Sequence, residues 1–278
     1  MSNDLNQNKT DIDLISFLRS HRLHKEDKHK IKPTHTALPG NYKPGTYNIP
    51  DEKLEELNQL ITDHIFVKNL PLHLTESHNG FDYSQYMDDI DIKIPTTIET
   101  IKRLYTTEDI LSYCYYSFKI LEKMFDLSDN QKVMYITEKP QPNFEEKISM
   151  AKDGWHIMIP DLVINYEKQR ELRNLRMNDK NIIELFKSIC PKMSINNIID
   201  KAIIKTNNWF VYGASKPNKK AYYLSFIVKY NAENDKLDVN IVNDEYMNYM
   251  NWKNSDLVNM FSIRNKSLNF NDKIDLDV

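Results

Sequence analysis

From Asp89 to Ile94 the chain reads D-I-D-I-K-I, charged and apolar residues alternating one for one. A period of two marks a β-strand with one face against a core and the other left polar. Asp89 and Asp91 then project from the same face, roughly 6.6 Å apart along the strand. That separation lets two carboxylates meet on one metal ion. Like charges on one face repel, and a divalent cation relieves the repulsion. Asp-x-Asp also occurs at Asp11/Asp13, before a short helix, and at Asp275/Asp277, in a polar tail. Both of those read as solvated or capping pairs. Only the central copy lies among strand-forming apolar residues.

The rest of the chain must supply a domain for this strand. Its 278 residues, 40% hydrophobic and 28% charged, suffice for one large globular domain or two small ones. No run approaches about 18 apolar residues, so no membrane span is expected. The start, MSNDLNQNKTDID, lacks the basic and apolar regions of a secretory signal. Cys114 and Cys190 are the two cysteines, too few for a Cys-rich zinc module or a disulfide framework. The protein reads as intracellular. A net charge of −3 hides an asymmetry: residues 51–131 hold 7 Lys/Arg against 16 Asp/Glu, residues 168–220 hold 12 against 4. This fits an acidic metal site facing a basic phosphate-binding flank. The plainer alternative is solvated helix faces of opposite sign.

In chain order, Leu14, Ile15, Phe17 and Leu18 predict a short helix, followed by a basic connecting segment over 19–43. GNYKPGT at 40–46 lacks the lysine and the following helix of a phosphate-binding P-loop. Asp51 is expected to cap a helix bearing Leu54, Leu57, Leu60 and Ile61. Residues 65–75 read as strand broken at Pro71. Thr107 opens a helix to about Phe125, with Cys114 in its core face and Tyr113, Tyr115 and Tyr116 as packing residues. Residues 133–137 form a strand that EKPQP ends. Gly154 then permits an unusual backbone before the strand WHIMI, placing His156 near its start. Lys152 and Gly154 together suggest a phosphate-accommodating turn. Residues 166–190 read as basic helix. Asp200 stands among isoleucines, costly to bury unless paired or metal-bound, and whether 195–204 is helix or strand stays open. Gly213, Ser215 and Lys216 form a turn with Lys219 and Lys220 behind it, before a hairpin of 221–230 with 236–242.

Over roughly residues 30–230, these stretches resemble the primase domain of the primase–helicases of large eukaryotic DNA viruses, within the archaeo-eukaryotic primase superfamily. Poxvirus, asfarvirus and mimivirus proteins are of this kind. The resemblance rests on Asp-Ile-Asp on a strand, Lys-Asp-Gly-x-His-Ile-Met-x-Pro, an isolated Ile-Asp, and Asn-Trp-x-x-Tyr-Gly-x-Ser-Lys-Pro, in that order. It implies an α/β (α+β) fold: an N-terminal α/β unit beside a small, mainly antiparallel RRM-like sheet, with the catalytic cleft between. The domains would be a flexible segment with a short helix over 1–30, a catalytic domain over 31–245 and a tail over 246–278. Asp89, Asp91 and Asp200 would bind Mg²⁺ or Mn²⁺. His156, Ser215 and Lys216, with Lys152 nearby, would contact the phosphates of an incoming NTP or dNTP. Arg170, Arg173, Arg176, Lys219 and Lys220 are the candidate contacts to a DNA template. The family's helicase half is absent from the sequence, so the resemblance implies either a stand-alone primase domain, with a separate helicase as a candidate partner, or a truncated relic; location in the host cytoplasm follows from a viral origin. Asp88 stands where relatives carry an apolar residue and Lys93 where arginine is common. With the missing helicase, these departures leave an inactive nucleic-acid-binding remnant as an alternative. A glycosyltransferase using Asp-x-Asp for a metal–nucleotide sugar is the other, though it leaves the His and Ser-Lys stretches unused.

Overall fold

The alternating segment does form a strand, β4 (Tyr83–Pro95), in a computed structural model that describes residues 13–27, 29–40, 43–97 and 101–264. Its neighbours build a six-stranded antiparallel sheet in the order β10-β9-β5-β7-β4, with β6 pairing on β7. Here β5 is Val133–Glu138, β6 Asn143–Glu145, β7 Met150–Asn165, β9 Tyr223–Asn231 and β10 Lys236–Ile241. A second sheet of four short strands runs β2-β1-β3-β8. It comprises β1 (His35–Ala37), β2 (Gly45–Tyr47), β3 (Leu74–Glu76) and β8 (Trp209–Phe210).

Each face of the large sheet is covered by a layer, and apolar side chains are buried on both, with Asp89 and Asp91 of β4 on the cavity side. One face packs on α3 (Thr107–Met124), α4 (Tyr166–Asn178) and α5 (Lys180–Ile189), burying Ile90, Ile92, Trp155 and Ile157 with Phe118, Leu172 and Phe186. A capping box starts α3: the Thr106 side chain accepts from Asp109 N, and the Asp109 carboxylate answers at Thr106 N. The other face meets the small sheet, α1 (Leu14–Ser20), α2 (Leu54–Thr62) and α8 (Asn254–Met260) through Met87, Met158, Leu57, Ile61 and Leu257. Mixed α/β architecture with antiparallel sheets is thus as expected.

Several local expectations change. Asp51 makes no cap; it begins a 3-10 turn that leads into α2. Residues 63–67 form a single wide helical turn, so the strand expected over 65–75 shrinks to β3. Residues 166–190 are two helices, because the Asp179 side chain accepts from Asn181 N and Ile182 N and starts α5 afresh. The segment beyond 246 is no loose tail as far as residue 264: Leu257, Val258 and Phe261 are buried in the core. α1 likewise buries Leu14, Phe17 and Leu18, with Asp13 as its N-cap. Asp11, Asp275 and Asp277 lie outside the described residues. Among the described residues, no helix is long and apolar enough to cross a membrane.

Candidate active site

β4 pairs with β7 so that Asp89 faces His156 and Asp91 faces Gly154. Gly154 has φ +141°, and a Cβ there would lie 1.8 Å from the carbonyl oxygen of Ile90. Only glycine allows the two strands to approach this closely. The alternation sends Asp89 and Asp91 into a cavity of about 590 Å³ between the two sheets, while Asp88 and Ile90 turn to the helices.

Asp200 reaches the same cavity from far along the chain. After α6 (Ile195–Ile198) the backbone extends, Ile199 bridges antiparallel to Ile90, and Asp200 N donates to Asp89 O at 2.9 Å. Arg173 holds this approach from beneath. Its Nε and Nη2 donate to Ile199 O at 2.8 and 2.6 Å, and Nη2 also donates to Asn196 O and Oδ1, both at 2.9 Å.

The opposite wall is basic. Gly213 (φ +81°) turns the chain after β8, and Ser215 donates its N–H to Leu72 O and its hydroxyl to Lys219 O, at 3.0 and 2.9 Å. This rigid turn presents Lys216, Lys219 and Lys220 to the cavity, with Lys152 from β7 and Lys139 from the end of β5. Glu145 ties up two of them, at 3.1 Å from Lys152 and 3.8 Å from Lys219. His156 lies between the rings of Tyr222, stacked at 3.6 Å, and Trp209 at 4.8 Å.

The carboxylates are in electrostatic conflict. Burial, with Asp91 and Asp200 nearby, pushes the Asp89 carboxyl up to about 8. Burial, with Lys139 alongside, holds the His156 imidazole down to about 3, so it is neutral near pH 7. Each carboxylate has a protein partner. Asp89 Oδ1 is 3.5 Å from His156 Nε2, Asp91 Oδ2 is 2.9 Å from Lys93 Nζ, and Asp200 Oδ1 accepts from Ala202 N at 2.9 Å. Turned onto these partners, no three His, Cys, Asp or Glu among the described residues make a ready cation cage. The donor chemistry still fits a hard divalent ion: three carboxylates on one cavity, one held protonated chiefly by burial and by the other two.

Thus nine of the sequence candidates line one cavity: Asp89, Asp91, Asp200, His156, Ser215, Lys216, Lys152, Lys219 and Lys220. The three arginines do not join them. Arg176 is 2% exposed on the far side of the sheet, where its Nε lies 3.4 Å from Asp88 Oδ2 and its Nη1 donates to Tyr86. Arg173 is buried under residues 196–199. Neither can touch a template, and the basic helix face reduces there to Arg170, exposed and away from the cavity. The missed signal was periodicity: Gln169, Leu172, Arg173 and Arg176 repeat at i, i+3, i+4, i+7 and form the buried stripe. Lys139, Tyr222 and Glu145 were also missed, because each flanks a strand end that alone carries no motif.

The Asp88 departure has a physical answer. Asp88 Oδ2 accepts from Tyr113 OH at 2.5 Å and pairs with Arg176, so this carboxylate is buried with its own cation.

Residues 34–228 match the family model described as the C962R protein N-terminal AEP domain. No curated protein matches the chain.

Proposed function

Since the chain belongs to the AEP, or archaeo-eukaryotic primase, family of the C962R N-terminal domain, we propose that it is a primase-type nucleotidyltransferase copying a DNA template from NTPs or dNTPs. One observation carries the reading above all: the Ile90–Ile199 bridge brings Asp200 beside Asp89, across a cavity from the Ser215–Lys216 turn. Asp89, Asp91 and Asp200 would hold Mg²⁺ or Mn²⁺, which when bound favours the ionised attacking hydroxyl and offsets charge on the departing pyrophosphate. The protein's own groups do the rest. Neutral His156 is braced between Tyr222 and Trp209 and can hydrogen-bond a phosphate oxygen without adding charge. Lys216 and Lys220 bring positive charge to the polyphosphate from a fixed turn.

Asp88, satisfied by Arg176 and Tyr113, no longer supports the reading of a decayed remnant. The test is primer synthesis on single-stranded DNA with Mg²⁺ or Mn²⁺. Wild type should extend, Asp91→Asn should lose at least about a hundredfold in rate, and Asp238→Asn, on exposed β10, should not. Equal rates in wild type and Asp91→Asn would remove the metal assignment. Thermal stabilisation by a nucleoside diphosphate sugar, but not by dNTPs, would instead favour the glycosyltransferase.

A further inference from the structure

We propose that Lys139 is a phosphate-contacting residue that works as a pair with Lys216, while Lys152 and Lys219 are held back by Glu145. The proposal rests on the nucleotidyl-transfer reading for its substrate but not for its geometry.

Five lysines line the cavity, Lys139, Lys152, Lys216, Lys219 and Lys220, and they are not equivalent. Glu145 pairs with Lys152 at 3.1 Å and reaches Lys219 at 3.8 Å, and Lys219 also donates to the Phe144 carbonyl. Lys139, Lys216 and Lys220 have no carboxylate at ion-pair distance among the described residues and all line the cavity; of these, Lys139 and Lys216 are close enough to repel each other. Lys139 lies over the ring of Tyr222, 4.4 Å from its centroid. Burial lowers its pKa, Asp91, Asp89 and Asp153 raise it from a distance, and Lys216 lowers it further. Asp153 is already engaged by Arg103 Nε at 3.2 Å, so it is not free to serve as a partner.

The position is also built to be stiff. Arg103 Nη2 donates to the Lys139 carbonyl at 2.5 Å, and Arg103 Nη1 holds Glu138 at 2.7 Å. Tyr105 OH bonds both Glu138 and the Gly154 carbonyl, at 3.1 and 3.0 Å. The backbone bearing Lys139 is thereby tied to the β7 segment that faces Asp91. A partly desolvated ammonium on a fixed stem, repelled by a second ammonium, is stabilised by an anion reaching both. A nucleoside triphosphate tail is such an anion, and the aromatic floor of Tyr222 leaves the ammonium's N–H groups for it.

The test separates this subsite from the reaction. The full chain is titrated calorimetrically with inorganic tripolyphosphate in EDTA, and separately assayed for primer synthesis. Lys139→Met and Lys216→Met should each weaken tripolyphosphate binding by roughly tenfold or more. Lys180→Met, exposed on α5 and outside the cavity, should change it less than about threefold. Lys139→Arg should bind nearly as wild type. Should the methionine variant fail to fold, Lys139→Gln carries the same expectation. Unchanged binding in folded Lys139→Met, or no tripolyphosphate binding by wild type, overturns the proposal. A lysine serving only as counter-ion to Asp89 and Asp91 would alter thermal stability and leave the tripolyphosphate Kd in place, which also overturns it. Binding lost in Lys139→Met by a protein that makes no primer would keep the subsite and end the transferase reading. Primer synthesis with unchanged binding would do the reverse.

Discussion

Asp88 and Asp89 are adjacent on one strand and live in opposite electrostatic worlds. Asp88 faces the helices, 2% exposed, with Tyr113 and Arg176 around it. Asp89 faces the cavity, 19% exposed, and its nearest charged company includes two more carboxylates. On the helical face, charge is cancelled inside the fold and serves packing. On the cavity face, charge is left opposed to like charge, and the fold carries that cost where a ligand could remove it. A buried ionisable group is therefore informative less for being buried than for whether its neighbours complete it.

The sharpest way to break this comparison is to remove one partner on each face. Arg176→Met leaves the buried Asp88 carboxylate without its cation, with only tyrosine hydroxyls to hold it, and should cost about 3–5 kcal/mol in urea unfolding. Asp89→Asn, in the metal-free protein, should cost nothing or stabilise. Comparable losses in both would erase the distinction.

A smaller effect is expected where the two faces communicate. Arg173 sits on the helical side yet holds the carbonyl ahead of Asp200. Arg173→Gln should lower kcat about tenfold and weaken Mn²⁺ binding, followed by electron paramagnetic resonance, with nucleotide KM little changed. Arg173→Lys should recover part of it. An equal fall from loss of folded protein alone would leave Mn²⁺ affinity per folded molecule untouched.

The smallest effect is in pH. Asp89 binds its proton up to about 8 in the folded chain, against 3.8 when free, so it contributes stability below 3.8 that is lost as pH rises toward 8. His156 has the opposite sign: folded at about 3 against 6.5, it makes stability rise between those values. The two oppose each other up to about 6.5, leaving a net decline between 6.5 and about 8. Metal-free Tm should fall across that window, the fall should vanish in Asp89→Asn, and Mg²⁺ should stabilise most at its upper end.

How much of this was legible beforehand follows from where each constraint resides. Strand β4 was readable because its alternation is local. Gly154 was not: read with Lys152 as a phosphate-accommodating turn before a strand, it lies with Lys152 inside β7, where Asp91 faces it and the lack of a side chain lets the strands close up. The direction of Asp200 was not readable. Its segment is too short for a period, and one bridge to a residue over a hundred positions earlier sets it. Arg173 and Arg176 misled because composition marks arginine as surface, while their partners, Ile199 and Asp88, come from distant parts of the chain. Lys139 gained its meaning only when β5 was laid against β7, with Thr137 opposite His156.

The bridge between Ile90 and Ile199 has a consequence for solubility. β4 is the outermost strand of the large sheet, and its apolar run would offer another chain an open row of backbone donors and acceptors. The segment carrying Asp200 occupies that row at its centre, by the bridge itself and by the Asp200 N–H on Asp89. A loop that completes a cluster of carboxylates thus also guards the sheet against self-association. Variants that loosen it would be expected to aggregate as well as to lose activity.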